Sequence, residues 1–192
     1  MKLSIFTSLA LLFILNLNGC STTNKNMVIA PQLNSTFLQI YPQITASLKV
    51  SDVRPSMHTM QILKADQAAE LINSTPVMTT VVQKQFQQLF SQQGLVLDNG
   101  LNNTVNMTIF IDAALVSVDQ SLIKYQAKNE IVLRLQIIKN KKTLTKTFRI
   151  HGKSNGPLSA DLAVLERDYN QQLAKLITKI ANDSEVINFI KL

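Results

Sequence analysis

The chain has 192 residues, of which 46% are hydrophobic and 16% charged, with 19 Lys+Arg against 12 Asp+Glu and a single Cys. That length and mix fit one globular domain with a real core and exclude a disordered or collagenous chain. One Cys excludes an intrachain disulfide, and the formal charge of +7 suits anionic partners of several kinds without choosing among them.

Residues 1–20 read MKLSIFTSLALLFILNLNGC, with a positive start at Lys2 and an apolar stretch from Leu3 to Leu17 that Asn16 and Asn18 bring to an end. The run falls short of the roughly 20 apolar residues that span a bilayer and has the layout of a secretory signal. Leu17-Asn18-Gly19-Cys20 resembles the bacterial lipoprotein box. That resemblance implies a leader over 1–19, cleavage before Cys20 and acylation of its thiol, which makes Cys20 a membrane anchor. Two or three acyl chains hold firmly where one is marginal. Ser21, standing where Asp marks inner-membrane retention in enterobacterial lipoproteins, implies by the same analogy an outer-membrane address. Export sets nucleic acid aside as a partner.

Residues 20–26 then form a lipidated Cys and polar tether (STTNKN after Cys20), spanning at most about 20 Å at roughly 3.3 Å per residue. Residues 27–192 form a single domain. Met27 to Ala30 reads as a short strand, and Pro31 to Pro42 as an irregular lead-in. Ile44 to Val53 alternates, with Ile44, Ala46, Leu48 and Val50 on one face, as a half-buried strand does. Gln61 to Leu63 and Glu70 to Ile72 read as a hairpin around Ala65 to Gln67.

Ser74-Thr75-Pro76 predicts a helix start, with a hydroxyl near the N-cap and Pro in the first turn. Met78, Val82, Phe86, Leu89 and Phe90 line its apolar face over 77–93, a stripe at core spacing, and Gly94 ends it. Leu95 to Leu97 is extended before the turn at Asp98-Asn99-Gly100.

Three long alternating segments follow. The first sets Val105, Met107, Ile109, Ile111, Ala113 and Leu115 against Thr104, Asn106, Thr108 and Asp112. The second sets Ile123, Tyr125, Ala127, Ile131, Leu133, Leu135 and Ile137 against Lys124, Gln126, Lys128, Glu130, Arg134 and Gln136. After a turn at Asn140-Lys141-Lys142, the third sets Leu144, Phe148 and Ile150 against Thr143, Thr145, Thr147, Arg149, His151 and Lys153. Short connections between such strands predict an antiparallel meander with one dry and one wet face. Leu162, Leu165, Tyr169, Leu173, Leu176 and Ile180 recur at helical spacing after Ser159 and Asp161 and cover the dry face; Val186, Ile187, Phe189 and Ile190 dock the C-terminus as a helical turn. The predicted class is α+β: a two-layer sandwich of a mainly antiparallel sheet with two main helices packed on one face.

With the lipoprotein box, the strand end Val50-Ser51-Asp52-Val53-Arg54, the helix Gln83-Lys84-Gln85-Phe86-Gln87-Gln88-Leu89-Phe90 running to Gly94, the strands around Tyr125 and Ile131, and the ending Ser184 to Lys191, the sequence resembles the YajG-type lipoprotein family of gammaproteobacteria. The resemblance runs along the whole mature chain and implies no activity, cofactor or catalytic residue; Cys20 is the one residue it assigns.

The residues themselves point to little chemistry. His58 and His151 stand apart, without HExxH or CxxC, so neither a metal nor another cofactor is expected. There is no GxSxG elbow, the carboxylates Asp161, Glu166 and Asp168 fall on a solvated helix face, and Asp52 with Arg54 reads as an ion pair closing a strand. The wet face is the candidate site: Lys124, Lys128, Arg134, Arg149, His151 and Lys153, interleaved with Gln and Thr. A solvated, charge-bearing face is its ordinary reading. The functional expectation is a non-enzymatic envelope lipoprotein, facing the periplasm from the outer membrane, with an envelope protein as partner. The alternative is binding of peptidoglycan or anionic headgroups by the basic face, and a hydrolase with a dispersed site comes third.

Overall fold

The structure is a computed structural model that describes residues 25–33, 39–41, 44–98, 100 and 103–192. The leader and Cys20 lie outside the described residues, as do parts of the lead-in and Asn99 of the turn. In chain order the elements are β1 (Asn26–Val28), β2 (Thr45–Asp52), β3 (Met60–Lys64), β4 (Glu70–Thr75), α1 (Met78–Gln92), β5 (Val96–Leu97), β6 (Val105–Gln120), β7 (Lys124–Lys139), β8 (Lys142–Pro157), α2 (Leu162–Ala181) and α3 (Ser184–Lys191).

The class is α+β, and the sheet is mixed: its three long strands pair antiparallel, most of its short ones join in parallel, and three helices accompany it among the described residues. β6 is its axis. One edge of β6 takes β2 in parallel from Val105 to Ile111 and β3 in parallel from Val116 to Gln120. Its other edge takes β7 antiparallel along the whole length, and β7 takes β8 antiparallel in turn. β4 closes the predicted hairpin on β3, while β1 and β5 add parallel to β4 and β2. Parallel pairs need long crossovers, and the chain between β2 and β6, which includes α1, supplies one; alternation of side chains carries no information on strand direction.

A bulge corrects the predicted face of β6. Ile111 pairs with Leu133 and Ala113 with Val132, which leaves Asp112 as the extra residue. An extra residue reverses the alternation beyond it. Val105, Met107, Ile109 and Ile111 therefore enter the core as expected, but beyond the bulge it is Ala114, Val116 and Val118 that do so, and Ala113 and Leu115 turn outward. Ile123, assigned by periodicity to the dry face of β7, lies before the strand and is exposed.

α1 and α2 cover the core side. Met78, Val81, Val82, Phe86, Leu89 and Phe90 of α1 are buried, with α1 packed on β2, and α2 lays Leu165, Tyr169, Leu173, Leu176, Ile177 and Ile180 inward beside β8, β7 and β1. Each such side chain contributes roughly 1.5–3 kcal/mol when fully buried, so these stripes, more than helix propensity, hold the helices in place. The expected hydroxyl cap of α1 is not made: Ser74 and Thr75 are paired with Met27 and Val28 in the sheet, and Val77 occupies the N-cap without a side-chain bond. The other end is as expected. Gly94, at φ 97, lets its own amide bond Ser91 O and that of Leu95 bond Phe90 O, a Schellman closure. A Cβ at Gly94 would run into the Tyr41 carbonyl, and the amides of Ile40 and Tyr41 bond Gln93 O, so the lead-in is laid against this helix end. α2 starts at Asp161, whose carboxylate accepts from the Ala163 amide.

The predicted tether is shortened by its last two residues. Asn26 pairs with Asn73, and Lys25 Nζ lies 3.0 Å from Glu70 Oε1. β1 is gripped on its outer side too: the Val28 amide donates to Glu166 Oε1 at 2.7 Å, the Ala30 amide to Asn170 Oδ1 at 2.9 Å, and Asn170 Nδ2 to Val28 O at 2.9 Å. Glu166, expected on a solvated face, thus serves as a partner for backbone that has no further strand beside it.

Candidate functional site

The outer face is built by residues that point away from α1 and α2. Cross-strand partners share a face, and the register puts Lys128 opposite Lys153, Glu130 opposite His151, Val132 opposite Arg149 and Arg134 opposite Thr147. The strands thus bring the six predicted residues onto one surface. Lys124, Lys128, Arg149, His151 and Lys153 are exposed on it.

Arg134, the sixth, is half-buried and already paired. Its Nε lies 3.0 Å from Asp112 Oδ2 and its Nη2 2.9 Å from Asp112 Oδ1, and its guanidinium sits 4.3 Å above the Phe110 ring. The hydrogen bond to Asp112 is the main reason the guanidinium is pushed above its ordinary pKa. The bulge residue supplies the carboxylate, so the irregularity in β6 and the neutralisation of Arg134 are one feature. Sequence alone offered Asp112 as a wet-face residue but not the register that sets it beside Arg134.

Lys128 and Lys153 remain as a like-charged pair directly opposite one another, an arrangement that weakens a sheet. They border a depression of about 300 Å³ with Glu130, His151, Leu115 and Ser117. Behind it, on the core side, Gly152 leaves room for a chamber of about 110 Å³ between β8 and α2, with Asn129, Ser154, Asp168, Gln171, Gln172 and Lys175 on its walls. A Cβ at Gly152 would strike the Gln172 amide and Asn129 Oδ1. Asn129 Oδ1 and Gln172 Oε1 are buried there without a protein partner. Two acceptors facing a polar space of this size match a few hydrogen-bonding waters. This polar pair, with Asn129 in a row of apolar inward residues, was missed in the sequence; the break in that row at Asn129 was its only signal.

Ser56 Oγ and His58 Nδ1 make contact, two residues apart on the exposed loop between β2 and β3. A nucleophile's base needs an acceptor that orients its other ring nitrogen and a site for substrate beside it. Among the described residues no hydrogen bond to His58 Nε2 is present, and Ser56 is exposed. The same residues hold no cluster of three metal-ligating side chains.

Residues 31–191 match the Lipoprotein_16 family model, whose description is "Uncharacterized lipoprotein". No curated protein matches the sequence. Among solved structures, protein XCC0632 from Xanthomonas campestris, of the DUF330 family, aligns with a TM-score of 0.58 at 13% identity, covering 84% of this chain and 96% of that one. At that identity the likeness is one of fold. Protein CT253 from Chlamydia trachomatis aligns less well, at a TM-score of 0.37 and 9% identity over 77% of this chain and 95% of its own. The family match spans nearly the whole domain, and the chain belongs to this family of uncharacterized lipoproteins, in keeping with its YajG-type resemblance.

Proposed function

We propose that the protein is a lipid-anchored outer-membrane lipoprotein facing the periplasm, and that it works without catalysis as an accessory module that docks an envelope protein through the outer face of β7 and β8. Residues 1–19 are the leader, Cys20 carries the lipid, a short tether follows, and one α+β domain does the docking. The observation that carries this reading is the outer face itself: a rigid surface on two 16-residue strands, with Arg134 and Asp112 neutralising each other and Lys128, Lys153, Arg149 and His151 exposed around a depression. Membership of a lipoprotein family supports the anchor at Cys20.

Crosslinking in cells at native expression, followed by purification of the adducts, is the test. An envelope protein should be recovered, and its yield should fall sharply with Arg149→Glu. Equal recovery from the variant overturns docking by this face.

The Lys128–Lys153 pair favours a second reading, binding of peptidoglycan or anionic headgroups. Joining two like charges across a sheet is relieved by an anion set between them. Cosedimentation with purified sacculi should then be lost in Lys128→Glu/Lys153→Glu; unchanged sedimentation removes this reading.

A further inference from the structure

Three large apolar side chains stand in solvent at one end of the molecule: Leu122 is 95% exposed, Ile123 74% and Leu158 65%. They are held there. Between β6 and β7, the Ser121 amide and hydroxyl both donate to Lys124 O, and the Lys124 amide returns a bond to Ser121 Oγ. The Leu158 amide donates to Ile123 O at 2.9 Å, with Leu158 at φ 60. Turns of this kind ordinarily carry Gly, Asn, Asp or Ser, and among the described residues Leu122, Ile123 and Leu158 do not pack on the core.

The N-terminal end of β1 also faces this end. β3 runs toward it, finishing at Lys64 beside Gln120; β4 runs back from it, and β1 lies parallel to β4. The N-terminal end of β1, at Asn26, therefore faces the apex. Ile72 and Val116 both pair with Met60, which puts Asn26, beside Asn73, about five residues or roughly 17 Å below the level of Gln120. Cys20 precedes Asn26 by six residues, a reach of at most about 20 Å. β1 and β6 are also separated across the sheet by β4 and β3, which uses part of that reach. A lipid on Cys20 thus has no length to spare for lifting the apex clear of the surface that holds it.

We propose that this end is a membrane-contact tip, in which Leu122, Ile123 and Leu158 enter the interface of the same bilayer that takes the acyl chains of Cys20. The tip rests on the lipid-anchor reading given above. Lys64 and Lys124 near the apex are outnumbered by Asp66, Asp119 and Asp161, so no cationic attraction to an anionic surface supports the contact, which is apolar and is not weakened by salt.

The chain contains no Trp, which makes Leu122→Trp a single reporter in the full-length protein. Purified from membranes and reconstituted in phosphatidylethanolamine/phosphatidylglycerol vesicles with brominated acyl chains, it should emit to the blue of a solvated indole and be quenched by the bromolipid at low and high salt. Lys142→Trp, at the opposite end, should emit as in water and escape quenching. Equal emission and quenching of the two variants overturns the tip, and so does loss of Leu122→Trp quenching in high salt. Labelling of Cys20 by a palmitate analogue is read on the same samples. Label present with an unquenched Leu122→Trp rejects the tip and keeps the anchor; label absent rejects both.

Discussion

Arg54 shows how much one side chain ties together. It and Asp52 are only 5% and 7% exposed at their side chains, and its Nε and Nη2 fork onto the Asp52 carboxylate, with Nη2 to Oδ2 at 2.7 Å. Its Nη1 donates to Ala114 O at 3.0 Å, two residues beyond the extra residue of β6, and to His58 O, while Nη2 also reaches Met57 O. The Tyr169 phenol lies buried near this pair, and burial pushes its pKa well up. The i, i+2 spacing made the pair legible in the sequence as the close of a strand. The carbonyls were not legible, because backbone oxygens have no residue type and Ala114 is sixty positions away. Removing one member of a buried pair strands the other, so Arg54→Ala should lower stability by roughly 3–5 kcal/mol. Denaturant midpoints check this, and Asp52→Leu/Arg54→Met should recover a large part of the loss.

At the scale of elements, the sheet depends on one regular turn and one irregular strand. Lys139 pairs with Lys142 across a two-residue loop in which Asn140 and Lys141 have φ 49 and 64. Both signs are those of the hairpin turn that favours Asn-Gly, and Lys141 occupies the glycine position. Left-handed backbone costs a side chain about 1–2 kcal/mol, and glycine returns part of that as unfolded-chain entropy, so Lys141→Gly should stabilise by about 0.5–1 kcal/mol. A raised melting temperature with unchanged far-UV circular dichroism is the expected result. The turn could be read because its neighbours alternate cleanly. The bulge could not: Ala113-Ala114-Leu115-Val116 is apolar in both parities, so the pattern is equally satisfied with and without the slip. The sheet's mixed direction was hidden for a related reason, since inward and outward residues alternate identically in parallel and antiparallel strands.

Across the whole molecule, the edge strand β8 is fastened to the C-terminus by charge. Lys146 Nζ lies 2.8 Å from Asp183 Oδ1 and 2.9 Å from Glu185 Oε2, while Asp183 also caps α3 by accepting from the Val186 amide. Burial pushes the Asp183 carboxyl up, but Lys146 and the Val186 amide outweigh it and hold the group below its ordinary range. A carboxyl with a lowered folded pKa contributes stability above its unfolded pKa, near 3.9, and loses it as pH falls through the folded value. The melting-temperature gap between wild type and Asp183→Asn should therefore be widest near neutral pH and close below about pH 4. Bonds to Asp183 and Glu185 likewise raise the Lys146 pKa, so its share of the tie persists through neutral pH. Of the candidate face, the exposed lysines, Arg149 and His151 were legible from alternation alone. Which cation is already satisfied was not, because that depends on register, a property of two strands together.

The grip on β1 has a mechanical consequence. The lipid anchor proposed at Cys20 would transmit any pull on the domain through Asn26, along the axis of β1, where the strand is bonded to β4 on one side and to Glu166 and Asn170 of α2 on the other. Tension in that direction loads these bonds together, in shear, instead of opening them one after another as a zipper. A three-residue strand so held resists detachment far better than its length indicates, and it hands the force to the longest helix of the fold.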